Sequence, residues 1–410
     1  MEFDIFELSN GLRVVHRHVN RPVAHCGIHL AVGSRDEGIH EQGMAHFIEH
    51  TLFKGTKKRR AYHILSRMED VGGELNAFTT KEETVLYTSF LSADYNRAIE
   101  LLADIYFNST FPEKEVVKEK EVVIDEINSY LDNPSESIFD DFEELIFKGH
   151  PLGGNILGTL DSVRGFKRHD IINFIGNNYG YNRMVFSSVG NISSARLKVL
   201  LEKHWSQIQN EKPRQLVTPN GYTGSEMRVK RPGYQAHAIL GTRAYAGDDE
   251  KSRVLLLLNN LLGGTGMNSR LNLNIREKYG FTYHLESFYH PYLDTGIFGV
   301  YLGTDLKTVD KSLKLVQKEL KKLRDNKLGI LQLSKAKKQL LGQIAMAQEN
   351  NGSLMLAYGK SMLVFDRIDT FERVQQKIEE ISAERLMEVA NEIFDPSQLS
   401  TLVYEPTLNE

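Results

Sequence analysis

The chain has 410 residues, more than one ordinary hydrophobic core accommodates, so two domains of roughly 200 residues are expected. Hydrophobic residues make up 41% of the chain and charged residues 25%, as in ordinary globular proteins. The formal net charge of −4 argues against a nucleic-acid-binding protein, for which a basic surface is expected. Cys26 is the single cysteine, which excludes a disulfide within the chain and a cysteine-based metal site.

Targeting and membrane signals are absent from the sequence pattern. Residues 1–5 lack a basic segment followed by an apolar one, and they are acidic where an organelle-targeting peptide is rich in arginine. No stretch approaches the roughly 18 uninterrupted apolar residues that a membrane-spanning helix needs. We therefore expect a cytoplasmic protein without a membrane partner.

The first 55 residues predict a hairpin, a strand and a buried helix. The hairpin is expected over residues 3–18 and the strand over residues 23–33. The helix that follows ends at Gly55. It carries three ionisable residues, His46, Glu49 and His50. Because positions i, i+3 and i+4 share one face of a helix, their side chains should meet on one turn.

This H-x-x-E-H pattern predicts a zinc centre. Two neutral imidazoles are good zinc ligands, and a carboxylate beside them can act on a zinc-bound water. The order is the reverse of the common H-E-x-x-H motif and is typical of the inverted zincins. The alternative is a helix with two satisfied core histidines, so a zinc centre requires a third ligand from elsewhere in the chain.

A candidate substrate-binding strand follows a predicted helix over residues 61–70. Residues near Asn76, Ala77 and Phe78 precede a strand over residues 84–88 and could form an exposed edge strand. Such an edge can bind an extended peptide as an added strand. An ordinary hairpin is the alternative interpretation.

A long helix from Pro112 to Tyr130 supplies candidates for the third ligand. Glu119 and Glu126 are seven residues apart and lie on one stripe among apolar side chains. A buried carboxylate needs a partner, so either glutamate could complete the metal site. The alternative is a helix at the protein surface with a partly exposed stripe.

The rest of the first half ends in a linker. Helices are predicted over residues 94–108, 136–147, 160–178 and 193–208, and a strand over residues 183–190. Residues 209–226 are polar and contain several prolines and glycines, which is typical of a linker. We therefore predict domains over residues 1–208 and 227–410.

The second half repeats this order of elements with little sequence identity. It predicts strands over residues 234–247, 295–302 and 399–403, and a further strand that contains Tyr283. Helices are predicted over residues 252–262, 267–278, 306–324, 331–349, 353–364 and 382–393. The helix over residues 252–262 takes the place of the metal helix and has no histidine. The expected fold class is α+β, with two structurally repeated domains that each contain a mostly antiparallel sheet flanked by helices.

Together these motifs resemble the pitrilysin/insulinase family of zinc metallopeptidases. The resemblance is closest to the shorter branch that includes the β subunit of the mitochondrial processing peptidase and its bacterial relatives, and it covers nearly the whole chain. It implies that His46, His50 and Glu126 bind one zinc ion per chain, that Glu49 is the general base, and that Glu119 is a second carboxylate close behind the site.

The resemblance also implies how substrate is bound. Arg276 and Tyr283 have the family's seven-residue offset for a substrate-binding pair that also assists catalysis. The stretch containing Asn76, Ala77 and Phe78 resembles the family's substrate edge strand. The implied function is a zinc-dependent endopeptidase that cleaves peptides or flexible segments in a closed chamber of four domains.

One chain of this length supplies two such domains, so a homodimer is expected, with a paralogue heterodimer as the alternative. The alternative function is a non-catalytic subunit of a processing-peptidase-like complex.

Overall fold

The computed structural model describes residues 3–207 and 211–407, which form two compact units that each contain one sheet. The strands are β1 (Asp4–Glu7), β2 (Arg13–His18), β3 (Val23–Leu30), β4 (Glu74–Thr79), β5 (Thr84–Leu91), β6 (Met184–Gly190), β7 (Glu226–Pro232), β8 (Ala236–Ala244), β9 (Thr282–Pro291), β10 (Gly296–Thr304) and β11 (Ser400–Thr407).

The helices are α1 (Met44–Leu52), α2 (Ala61–Glu69), α3 (Tyr95–Asn108), α4 (Glu113–Leu131), α5 (Pro134–Ile146), α6 (Leu160–Gly165), α7 (Arg168–Asn178), α8 (Ser194–Trp205), α9 (Glu250–Gly263), α10 (Val309–Asp325), α11 (Ile330–Ala347), α12 (Asn351–Phe365), α13 (Phe371–Glu379) and α14 (Ala383–Ile393). A π-helical segment spans Asn272–Glu277. No helix in the described part of the chain combines the length and apolarity that crossing a bilayer would require.

The first unit is built on a six-stranded sheet in the order β1-β2-β6-β3-β5-β4. β2 and β6 are parallel, and all other neighbouring strands are antiparallel. Side chains alternate between the two faces of a strand, and on β3 the apolar residues Ala24, Cys26 and Ile28 face the main core. Helices α1, α3 and α8 contribute buried side chains to the same core.

β4 is the last strand of this sheet, and within the described residues it pairs with β5 alone. The backbone N–H of Thr80 donates to the carbonyl of Glu83, so these two residues form a hydrogen-bonded pair. Hydrogen-bonded pairs alternate along an antiparallel hairpin, so this bond determines which residues of β4 direct their backbone groups towards β5. The residues whose backbone groups point away from β5 are Leu75, Ala77 and Thr79. The expected edge strand is therefore confirmed, and it is also one arm of a hairpin.

The second unit contains a five-stranded sheet in the order β7-β11-β8-β10-β9. β7 and β11 are parallel, and the other neighbours are antiparallel. Strand order and directions match those of the first sheet from β2 to β4. The predicted internal repeat is confirmed, and β9 occupies the edge position in the second sheet that β4 has in the first.

Each unit also contains a helix from the opposite half of the sequence. α5 packs with β8, β10 and β11 in the second unit, whereas α12 packs with β2, β3 and β6 in the first. These contacts assign residues 129–153 to the second unit and residues 346–370 to the first. The division therefore differs from the expected boundaries, because each sheet has two apolar faces and an exchanged helix covers one of them.

The connection between the halves also differs in detail from the expectation. Residues 211–225 have no regular secondary structure, as a linker predicts, but residue 226 already begins β7. Residues 208–210, which include the predicted end of one helix and the start of the linker, lie outside the described residues. β7 and α13 are not predicted by the sequence pattern, because both are mostly polar segments.

Candidate metal centre

The start of α1 is fixed by a half-buried carboxylate from the preceding loop. Glu37 accepts hydrogen bonds from the backbone N–H groups of Gly43 and Ala45, each at 2.8 Å. These are among the donors that a helix leaves unpaired at its first turn. Gly43 has a φ of 89°, and a Cβ there would lie 2.6 Å from the carbonyl oxygen of Leu157. Only glycine therefore fits where the chain enters the helix.

One turn later, two imidazoles of α1 face a carboxylate of α4. Nε2 of His50 lies 3.4 Å from Oε2 of Glu126, and Nε2 of His46 lies 3.8 Å from the same oxygen. One donor atom from each of the three residues lies within 4.8 Å of the others. Two imidazole nitrogens and one carboxylate oxygen are a typical three-ligand set for a catalytic zinc ion. The residues present therefore fit a metal of this kind.

The two histidines are held in different ways. Burial lowers the pKa of His46 to about 4, with His50 as a second cause, so the imidazole is neutral and can act as a ligand. Its Nδ1 is buried and has no hydrogen-bond partner among the described residues. Nδ1 of His50 lies 3.4 Å from Oε2 of Glu119, to which it donates. That tautomer leaves the Nε2 lone pair free on the side of Glu126.

Glu119 therefore lies beside the candidate metal centre. It contacts Nδ1 of His50, whereas Glu126 faces Nε2 of the same ring. The other oxygen of Glu119, Oε1, lies 2.7 Å from Nζ of Lys54. Lys54 was not predicted as a site residue, although its spacing of four residues from His50 is a signal for proximity at the end of a helix.

Glu49 lies beside the imidazoles and is linked to the edge strand. Its carboxylate accepts a hydrogen bond from the side chain of Thr79, the last residue of β4. Burial raises the pKa of Glu49, and the hydrogen bond from Thr79 opposes that shift. The free edge of β4 therefore ends at the carboxylate of Glu49. Thr79 was not predicted as a site residue, because its position depends on packing between α1 and β4.

The three predicted substrate-binding residues of β4 differ in what they offer. Asn76 is exposed, and the ring of Phe78 packs against Tyr87 with centroids 6.0 Å apart. The backbone groups of both residues face β5, whereas those of Ala77 face away from the sheet. Only Ala77 of the three can pair its backbone with an added strand.

Arg276 and Tyr283 lie in the second unit, and both are exposed. Arg276 belongs to the π-helical segment, and its Nη1 lies 3.4 Å from Oδ1 of Asn272. Tyr283 is the second residue of β9 and is 65% exposed. The two predicted residues therefore lie on neighbouring elements, Arg276 on an irregular helical segment and Tyr283 on the edge strand that follows it.

Sequence comparison identifies the family. The chain is 33% identical to an uncharacterized zinc protease of Rickettsia bellii, over 98% of this chain and 97% of that protein. The description "Insulinase (Peptidase family M16)" matches residues 13–160, and "Peptidase M16 inactive domain" matches residues 165–340. The chain belongs to peptidase family M16. Within the family, the match to an inactive domain agrees with the lack of an H-x-x-E-H motif in residues 165–340.

Two other similarities concern a curated relative and the fold. The chain is 31% identical to the mitochondrial-processing peptidase subunit beta of Bos taurus, over 95% of this chain and 82% of that protein. The crystal structure of a protease from Helicobacter pylori superposes with a TM-score of 0.92 at 22% identity, and the match covers 98% of this chain and 99% of that one. The expected fold class is confirmed.

Proposed function

We propose that this M16 protein is a zinc-dependent endopeptidase. The observation that carries the proposal is the convergence of His46, His50 and Glu126 beside Glu49, at the end of a free strand edge. A metal-ligand set alone would be compatible with many hydrolases. An edge strand that leads to the neighbouring carboxylate favours a peptide as the substrate. Relatives named zinc proteases support the same conclusion.

In this proposal His46, His50 and Glu126 hold one zinc ion per chain. Bound zinc would act as a Lewis acid on the scissile carbonyl and would lower the pKa of a water molecule. Glu49 accepts the proton of the attacking water and later donates it to the leaving amine. Thr79 keeps the Glu49 carboxylate oriented through its hydrogen bond.

The substrate lies as an added strand along β4. Its backbone pairs with the outward-facing groups of Leu75, Ala77 and Thr79, which are the unpaired groups of the edge. Because the edge ends at Thr79, the bound backbone runs past the carboxylate of Glu49. Backbone pairing is largely independent of sequence, so broad specificity is expected from this contact.

Arg276 and Tyr283 are proposed to bind the substrate from the second unit. Both are exposed donors, and Tyr283 or Arg276 would stabilise the negative charge that develops on the carbonyl oxygen. We further propose a homodimer whose four domains enclose a chamber. Such a chamber admits peptides and flexible segments and excludes compactly folded proteins.

The decisive experiment compares cleavage of a mixed library of quenched peptides before and after metal removal. We expect cleavage that a chelator abolishes and that added zinc restores. Glu49→Gln should retain zinc but lose turnover, because the amide cannot accept the proton. If zinc binds but no peptide in the library is cleaved, the protein is a non-catalytic subunit of a larger complex.

A further inference from the structure

Glu319 is a buried carboxylate in the second unit that the proposed chemistry does not use. It lies on α10, and its side chain is only 4% exposed. Its Oε1 lies 2.5 Å from Nζ of Lys322 on the same helix. Oε2 accepts from Nδ2 of Asn274 at 3.2 Å and lies 3.5 Å from Nη2 of Arg270. A carboxylate this deeply buried is tolerated only when such partners satisfy it.

Two of these partners belong to the segment that carries Arg276. Asn274 lies inside the π-helical segment Asn272–Glu277, and Arg270 lies two residues before it. Asn272 links Met267 to Arg276, because its Nδ2 donates to the Met267 carbonyl at 2.5 Å and its Oδ1 faces the Arg276 guanidinium. A π-helical turn is rare and less favourable than an α-helical one, so it persists where surrounding contacts hold it.

The first unit contains a comparable arrangement on the corresponding helix of the repeat. Asp104 lies on α3, which follows the edge hairpin there as α10 follows it in the second unit. Its Oδ2 accepts from Oγ1 of Thr56 at 2.9 Å and from Nη1 of Arg59 at 2.5 Å. Both repeats therefore use one buried acid to hold the segment after the first helix of the repeat. In the first unit that segment follows the metal helix, and in the second it leads to Arg276.

We propose that Glu319 is a positioning residue for Arg276. By binding Arg270 and Asn274 it fixes the π-helical turn, and this turn sets the direction in which the exposed guanidinium of Arg276 points. Glu319 itself is too buried to touch a substrate. The inference rests on the proposed role of Arg276 in substrate binding, and it adds a residue that no motif spacing indicates.

A double-mutant cycle between Glu319→Gln and Arg276→Ala tests the proposal. Each variant and the double variant would be assayed for kcat, KM and zinc content with one quenched peptide. Glu319→Gln should raise KM roughly ten-fold, as expected when a hydrogen bond to a charged group is lost. It should leave zinc content unchanged. The double variant should be no worse than Arg276→Ala alone, because both changes remove the same contact.

The matched control is Asp325→Asn, which removes an exposed ion pair with Lys321 from the same helix. It should leave KM unchanged. If Glu319→Gln lowers the thermal midpoint strongly, Asn274→Ala replaces it in the cycle, since that change leaves Glu319 paired with Arg270 and Lys322. Fully additive effects, or an unchanged KM in Glu319→Gln, would overturn the proposal.

An unchanged KM in Arg276→Ala would overturn the role of Arg276 and this inference with it. Chelator-sensitive cleavage by the unaltered protein would still support the peptidase function in that case. The two proposals therefore fail in distinguishable ways.

Discussion

Nζ of Lys54 lies 2.7 Å from Oε1 of Glu119, whose Oε2 in turn lies 3.4 Å from Nδ1 of His50. The ammonium group is thus connected to an imidazole of the candidate metal centre through one carboxylate. Outer partners of this kind fix the tautomer and orientation of a ligating histidine. The Glu119 side chain is only 8% exposed, so water does little to replace a lost partner.

Lys54→Met should weaken zinc binding roughly 10-fold or more, the range typical for loss of an outer-shell partner. Methionine keeps most of the length of the side chain but removes the ion pair, so Glu119 loses its fixed orientation towards His50. Zinc affinity measured by competition with a chromophoric chelator gives the result. Lys54→Arg should retain most of the affinity, because it keeps the positive charge.

Lys58→Met is the matched control for this prediction. Lys58 lies on the same loop, is 61% exposed, and its Nζ lies 3.9 Å from Oδ1 of Asp104. Its replacement should leave zinc affinity unchanged. Equal losses in both lysine variants would point to a general effect of charge and against a specific role of Lys54.

Glu126→Gln should weaken zinc binding more than Glu119→Gln does. Glu126 faces Nε2 of both histidines, whereas the histidine atom that Glu119 contacts is Nδ1 of His50. The first change removes the proposed charged ligand. The second removes only a charged hydrogen-bond acceptor, which costs roughly 10- to 100-fold in metal affinity. Metal titration of both variants at limiting zinc distinguishes them, and the reverse order would make Glu119 the ligand.

The sequence predicts the part of the site that is local. His46, Glu49 and His50 fall on one face because helical spacing alone brings them together. Helical spacing does not distinguish Glu119 from Glu126 as the third ligand, because both lie on the same stripe of α4. Only the family resemblance favoured Glu126. Lys54 and Thr79 were not singled out, because their roles depend on how α4 and β4 pack against α1.

The same limit applies to the fold. Alternation and periodicity predicted most strands and helices, and the repeated order predicted two similar sheets. The exchange of α5 and α12 was not predicted, because an apolar helix face does not specify which of two sheets it covers. β7 was missed because its side chains are mainly polar, and its pairing with β11 involves residues far along the chain.

Ala77→Pro should lower kcat/KM by roughly 3- to 10-fold, the effect of losing one neutral hydrogen bond. Proline removes the N–H that Ala77 directs away from β5, so the edge can no longer donate that bond to an added strand. Proline is tolerated at such outward positions of edge strands. Steady-state kinetics with a short peptide, combined with the thermal midpoint, provide the measurement.

Asn76→Pro is the contrasting variant, because the N–H of Asn76 pairs with β5. It should lower the thermal midpoint through loss of a ladder bond, in addition to any effect on cleavage. An Ala77→Pro variant with unchanged kinetics would argue against binding of the substrate as an added strand.

Gly359→Ala should lower the free energy of unfolding of the first unit by about 1–3 kcal/mol, as overpacking of a core does. Gly359 lies in α12, and a Cβ there would be 2.1 Å from Nε2 of the buried His29 on β3. Urea unfolding followed by the fluorescence of Trp205 reports on this unit, because it is the single tryptophan and is fully buried there. Gly342→Ala in α11 is the control, since a Cβ there meets no atom within 4 Å. That change should stabilise its helix by about 0.5–1 kcal/mol, and it should not lower the Trp205 midpoint. An unchanged Trp205 midpoint in Gly359→Ala would contradict the packing of α12 on the first sheet.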